Sequence, residues 1–265
     1  MKVFGIAILF LCSSWLSRAQ TVNTWNTKQC AVVLTYDDSI DGHLDLVIPA
    51  LDSLKFKATF YLIGSSPAVT NRIAEWRLAA KNGHELGNHT LNHPCNGTLP
   101  GRSFVKPETD LSTYTLARAV NEIRLNNTLL KAIDGKSKRT FAYPCGDLKV
   151  EGVNFYDQVK NEFSGARGIG SGFETIAKAN SSDLKAYSIN GQPAQYMIDL
   201  VKEAQRTRTL IVFLFHGVGG GHSLNVDLNA HRKLLQYLKA NENQIWVAPM
   251  VDVAEYIKLK QAIEQ

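Results

Sequence analysis

Five side chains carry the chemistry this sequence can offer: Asp37 and Asp38, then His89 and His93, and far downstream His216. Thr35-Tyr36-Asp37-Asp38-Ser39 sets two adjacent carboxylates directly after the apolar run AVVLTY. Like charges so close repel unless a cation joins them or one takes a proton. The same residues also read as a solvated turn or a helix cap. His89 and His93 lie four apart within GHELGNHTLNHP. On a helical turn that spacing points both imidazoles to one side, where they can share a metal ion. His84, further from the pair, reads as packed or hydrogen-bonded. In Phe141-Ala142-Tyr143-Pro144-Cys145-Gly146-Asp147, Pro144 and Gly146 fix a tight turn able to aim a backbone N–H into a site, although a plain turn has the same sequence. Finally, LIVFLFH delivers His216 into the glycine-rich Gly217–Gly221, where a structural histidine would look the same.

The elements that must position these groups alternate in type. Strands are expected over Ala31–Tyr36, Lys57–Ile63, Arg139–Tyr143, Ser164–Arg167, Leu184–Ile189, Leu210–Phe215 and Gln244–Val247. Helices are expected over His43–Leu54, Val69–Lys81, Tyr114–Ile133, Gln195–Arg206, Ala230–Asn241 and Val251–Ala262. Such alternation implies a parallel sheet covered by helices. The fold class is therefore α/β, a distorted (β/α) barrel of about seven parallel strands in a single domain, with its chemistry at the C-terminal ends of the strands. Pro94–Thr113, rich in turn formers and without periodicity, reads as a loop over that face. Trp76 and Trp246 read as core.

Asp-Asp, His-x-x-x-His-Pro, a Pro-x-Gly turn and a terminal Leu-x-His follow in this order, and with them the chain resembles the polysaccharide deacetylases with a NodB-homology domain, carbohydrate esterase family 4. The resemblance runs from about Cys30 to about Lys258. It implies a secreted metal-dependent hydrolase that removes N- or O-acetyl groups from a polysaccharide or oligosaccharide. By the same resemblance Asp38, His89 and His93 hold a divalent metal, zinc first and cobalt or another transition metal next, leaving one position open. Asp37 is then the general base, His216 the general acid, and the Cys145 backbone N–H the oxyanion donor, with Tyr143 and Pro144 against substrate. Two positions depart from the family pattern. Ala142 stands where many members carry an arginine that contacts the catalytic Asp, and Leu184–Pro193 lacks the Asp-Trp motif that precedes the final histidine. The residues that orient Asp37 and His216 thus stay unnamed, and His222, in the loop after the last motif, reads as a solvated loop residue ahead of one that lines the cleft. Two other readings stand beside this one: an amidohydrolase acting on a small cyclic amide or ureide, and a carbohydrate-binding protein without catalysis.

Residues 1–19, with Lys2, the apolar Val3–Leu11 and the small residues before Gln20, read as a signal peptide, leaving 20–265 as the deacetylase domain and a periplasmic or extracellular location. No later segment is apolar and long enough to span a bilayer. Losing Lys2 and Arg18 from 29 basic residues, against 24 acids, leaves a charge of +3 without any basic block, which argues against nucleic acid as a partner. Of Cys30, Cys95 and Cys145, the last two sit beside the motifs and are the pair to bridge if a disulfide forms. Three buried thiols are the alternative. The sequons at Asn88, Asn96, Asn126 and Asn180 read as chance.

Overall fold

A computed structural model describes residues 24–263 of the chain. The expected export segment, residues 1–19, lies outside them. The strands of the main sheet are β1 Cys30–Asp37, β2 Thr59–Leu62, β3 Glu85–Asn88, β4 Thr140–Ala142, β5 Gly165–Arg167, β6 Tyr187–Ser188, β7 Leu210–Phe215 and β8 Ile245–Val247. They form one sheet in the order β5-β4-β3-β2-β1-β7-β6, with β8 beside the start of β1, and every pairing is parallel. The sheet curls until its edges meet: Leu184 N–H donates to Ala166 O at 2.8 Å and Gly168 N–H to Leu184 O at 2.9 Å. This is the distorted barrel that the alternation of elements predicts.

β1 shows why the sheet is parallel and doubly covered. All eight of its residues are buried. Val32, Leu34 and Tyr36 pack with Ile211, Phe213 and Phe215 of β7 on one face. Ala31 and Val33 take the other face with Val212 and Leu214. A strand buried on both sides reads as a continuous apolar run, since side chains alternate between faces. The helices α1 Ile48–Ser53, α2 Ile73–Lys81, α3 Leu116–Asp134, α4 Ala194–Thr207, α5 Leu228–Ala240 and α6 Met250–Ile263 cover the sheet. Thr115 caps α3 by accepting the Arg118 N–H, and Gly135 ends that helix at φ 73°. A left-handed C-terminal residue favours glycine because it has no Cβ.

Two differences from the sequence reading follow from local polarity. The expected helix over Val69–Lys81 is broken: a short turn over Pro67–Thr70 precedes α2. β3 carries the sequence ELGN, which has neither β-branched nor alternating apolar residues, yet all four are buried. Its polar ends are tolerated because they are satisfied. The Glu85 carboxylate accepts from Thr59 Oγ1 on β2, from Thr140 N and Oγ1 on β4, and from Val251 N at the start of α6, all at 2.6–2.9 Å. This clasp sits at the N-terminal end of the barrel, opposite the chemistry.

Candidate active site

At the C-terminal end of β1, two adjacent aspartates enter the same cleft. Successive residues of a strand point to opposite faces, so the chain must leave strand geometry to achieve this. It does so at once: Asp38 has φ 74° and Ser39 φ 53°. The Ser39 hydroxyl accepts the Ile63 N–H at 2.8 Å and holds the turn against β2. Left-handed backbone at non-glycine residues is strained and persists where surrounding contacts over-determine it.

His89 and His93 correct the sequence reading. They do not lie on a helical turn but in the loop after β3, turned by Thr90 at φ 64° and His93 at φ 52°. Asn88 Oδ1 accepts the Thr90 N–H, and Thr90 Oγ1 accepts the His93 N–H. These side-chain turns fold the loop back and set the two rings 4.6 Å apart, edge to face. The result is the convergence that a helix would have given, reached by another route. Asn88 and Asn126 are fully buried and hydrogen-bonded, so neither sequon accepts a glycan in this fold.

Asp38 Oδ1 lies 3.4 Å from Nε2 of His89 and 3.4 Å from Nε2 of His93. It is buried and has no hydrogen-bond partner among the described residues. Bonds of about 2.1 Å to a tetrahedral cation require donor spacings of about 3.4 Å. His89 donates Nδ1–H to the Ala142 carbonyl at 2.9 Å, which leaves the Nε2 lone pair free for a metal. Burial pushes His93 down to about 4, helped by the neighbouring His89. Burial alone would raise Asp38, but its close approach to His89, His93 and His216 outweighs burial and holds the carboxyl well below its usual range. Carboxylate ionised and imidazole neutral is the state in which these groups ligate a divalent ion, and the donor set fits one.

Asp37 receives its partner from an unexpected strand. Arg167, at the end of β5 and fully buried, donates Nη2–H to Asp37 Oδ2 at 2.5 Å and Nη1–H to Gly168 O, with its guanidinium over the Tyr61 ring. Arg167 is the register neighbour of Ala142. The cation absent from position 142 is thus supplied from the next strand. The signal in the sequence is a lone arginine ending a buried strand, which demands an anion.

His216 follows β7 directly and directs Nε2 to within 3.7 Å of Asp38 Oδ2. Its carbonyl is bound by His43 Nε2 at 2.8 Å, and its own Nδ1 is buried without a partner among the described residues. Burial lowers its pKa against the opposing charges of Asp37 and Asp38. His222 corrects a second expectation. It is no solvated loop residue: its Nε2 stands 3.5 Å from Asp38 Oδ2 and its ring stacks on His216.

Cys145 has φ 56° within the Pro144–Gly146 turn, and the Gly146 and Asp147 N–H groups close that turn onto the carbonyls of Tyr143 and Pro144. A Cys95–Cys145 disulfide ties the turn to the His93 loop, while Cys30 is a buried free thiol. Tyr143 lines the cleft with its hydroxyl turned away to Ser182 O, and Pro144 is buried beneath the turn. The cleft has a volume of about 630 Å³, bounded by Asp37, Asp38, His89, His93, Cys145 and His216 and overhung by Arg102 and Phe104 of the expected loop.

A parallel barrel that gathers Asp38, His89 and His93 beside a second carboxylate and a further imidazole at its C-terminal mouth is a frame suited to hydrolysis. The sequence matches the polysaccharide deacetylase family over residues 25–162, and the chain belongs to that family. A peptidoglycan-N-acetylglucosamine deacetylase of Bacillus cereus is 35% identical over 88 residues, 31% of this chain and 29% of that protein. The chain spans less than a third of the length of the curated relatives it matches. Among solved structures, a Mycobacterium smegmatis protein assigned to the polysaccharide deacetylases superposes with a TM-score of 0.61 at 14% identity, covering 88% of this chain and 92% of that one. A Bacillus anthracis protein described as a pseudoenzyme of carbohydrate esterase family 4 does so with a TM-score of 0.54 at 16% identity, over 86% and 66% of the two chains. The shared fold therefore does not decide catalysis, and the side chains in the cleft must.

Proposed function

We propose that the chain is an exported, metal-dependent deacetylase that hydrolyses N- or O-acetyl groups on a polysaccharide or oligosaccharide. In this reading residues 1–19 direct export to the periplasm or the extracellular space, and 20–265 form the enzyme. The observation that carries it is the orphaned Asp38 Oδ1 between two imidazole nitrogens, beside Asp37 clamped on Arg167 and within reach of His216.

A divalent ion, zinc by the N,N,O donor set, held by Asp38, His89 and His93 would polarise the acetyl carbonyl and acidify a water. Asp37 takes the proton of the attacking water, with Arg167 fixing one carboxylate oxygen and leaving Oδ1 free. As the carbonyl oxygen gains charge, the Cys145 N–H donates to it. The new C–O bond forms, the C–N or C–O bond to the sugar breaks, and His216 gives the departing amine or alcohol its proton. Acetate and a free amino or hydroxyl group result. The walls of Tyr143 and Phe104 suit the apolar face of a sugar ring, and Pro144 acts through the turn beneath it. A pure binding protein has no use for a clamped base opposite a second imidazole.

Acetate release from acetylated chitooligosaccharides, xylan and peptidoglycan tests the proposal, each measured as purified, after chelation and after zinc or cobalt is returned. Metal-restored release, lost in Asp37→Asn and His89→Ala, is expected. Metal binding without release from any acetylated carbohydrate would refute the substrate class and turn attention to small cyclic amides.

A further inference from the structure

His222 occupies a place in the cleft that neither base, acid nor metal ligand accounts for. The segment that carries it is a built structure. Gly217 N–H donates to Leu224 O at 2.9 Å and Gly219 N–H to Val226 O at 2.9 Å, pairing the two ends of the loop. Gly220 N–H is taken by Asn225 Oδ1 at 2.7 Å. Gly219, Gly220 and Gly221 have φ of 74°, 126° and 83°, so the chain reverses where side chains are disfavoured. A Cβ on Gly217 would fall 2.5 Å from the Gly220 carbonyl oxygen. The loop can close this tightly only as glycine, and closing it brings His222 back over the site.

The orientation of the ring follows from its neighbours. His222 Nδ1 stands 3.0 Å from the Leu224 N–H and 3.3 Å from the Leu224 carbonyl oxygen; the shorter contact is the donated N–H, which leaves the proton of the neutral ring on Nε2. That N–H faces Asp38 Oδ2 at 3.5 Å, a polar contact longer than a full hydrogen bond. The two oxygens of Asp38 thus meet different company: Oδ1 faces His89 and His93, and Oδ2 faces His216 and His222. The His222 ring also lies parallel to His216, with centroids 4.9 Å apart and planes 12° from each other. His216 lacks a partner for Nδ1 among the described residues, so no hydrogen bond at that nitrogen fixes the ring, and the parallel His222 ring lies where it can restrain it.

We propose that His222 is a positioning residue for both Asp38 and His216. Its Nε2–H engages the carboxylate oxygen turned away from the ligand pair, which disfavours two-oxygen chelation, and its ring face holds the His216 imidazole in plane. The inference rests on the reading of Asp38 as a metal ligand.

Two variants separate the two tasks. His222→Phe keeps a ring face and loses the donor, whereas His222→Gln keeps a donor at the position of Nε2 and loses the face. Cobalt affinity, by competition with a chelator, and the visible spectrum of the bound cobalt are read beside kcat and KM for acetate release. His222→Phe is expected to weaken cobalt binding by about tenfold or more and to alter the spectrum, as loss of a group supporting a metal ligand does. His222→Gln should bind cobalt as the parent does, with an unchanged spectrum and a lower kcat at constant KM. Parental cobalt affinity and spectrum in both variants would overturn the proposal. Equal, severe loss of cobalt in both would overturn it in favour of direct ligation by His222. Absence of cobalt binding by the parent chain would instead sink the ligand assignment itself.

Discussion

Replacing Arg167 by methionine removes the guanidinium paired with Asp37 while keeping most of the side-chain length. Both partners are buried, the guanidinium fully and the carboxylate with 4% of its side chain exposed. Without Arg167 the Asp37 carboxylate faces Asp38 with the His89 imidazole, 3.7 Å from Oδ2, as its remaining basic neighbour among the described residues. Stripping one partner from a buried pair costs about 3–5 kcal/mol, most of it the stranded charge rather than the lost contact. For a domain of this size each kcal/mol shifts Tm by about 2–4 °C, so a fall of about 6–20 °C is expected in the metal-free protein. Asp37→Asn alone strands Arg167 and should cost a comparable amount. The double variant strands neither charge, so its loss should fall short of the sum of the singles by about 2 kcal/mol or more. Urea denaturation of the four proteins after chelation closes the cycle. Additivity to within about 0.5 kcal/mol would refute the claim that the two residues act as a unit.

His216→Ala should cut kcat for an N-acetyl sugar by about 100-fold or more, yet change hydrolysis of a nitrophenyl acetate far less, because a good leaving group needs no proton. Initial rates on the two substrates check this. His84 and His231 are buried and held at about 4 and about 3 by loss of solvation. The unfolded chain takes up protons at these residues near pH 6.5 while the folded chain does not. Their contribution to stability is therefore full above about pH 6.5 and declines as pH falls toward 4, by up to about 1.4 kcal/mol per pH unit for each. A Tm series over that range should flatten in His84→Gln. The Cys95–Cys145 bridge closes a separation of 50 residues, and opening it with Cys95→Ala/Cys145→Ala should cost about 2–4 kcal/mol. Reductant should bring the parent chain to the same melting temperature.

Much of the barrel is legible in the sequence because β1 and β7 are long apolar runs that no other element can bury. β3 is not, since Glu85 and Asn88 are polar and are buried with hydrogen-bond partners that lie as far as 166 residues away along the chain. His89 and His93 are legible by type and order but not by local structure. Their spacing suits a helix, and what overrides it is the pair of side-chain turns made by Asn88 and Thr90. Arg167 falls in an expected strand, but its partnership with Asp37 depends on register between strands distant in sequence, which a single sequence does not contain. His222 is hidden by its glycines, which read as a solvated loop until their hydrogen bonds are seen to close it back on the site.

β3 spans little more than a dozen ångströms, about 3.3 Å for each of its few residues, yet its two ends serve different masters. Glu85 at the foot gathers β2, β4 and α6 into one clasp, and Asn88 at the head shapes the loop that presents His89 and His93. Frame and chemistry are segregated along a single short strand. A substitution at the rim can therefore alter what the cleft accepts without loosening the barrel, whereas a change at the foot is felt at once by β2, β3, β4 and α6. The two ends can thus change independently, one altering the site and the other the frame.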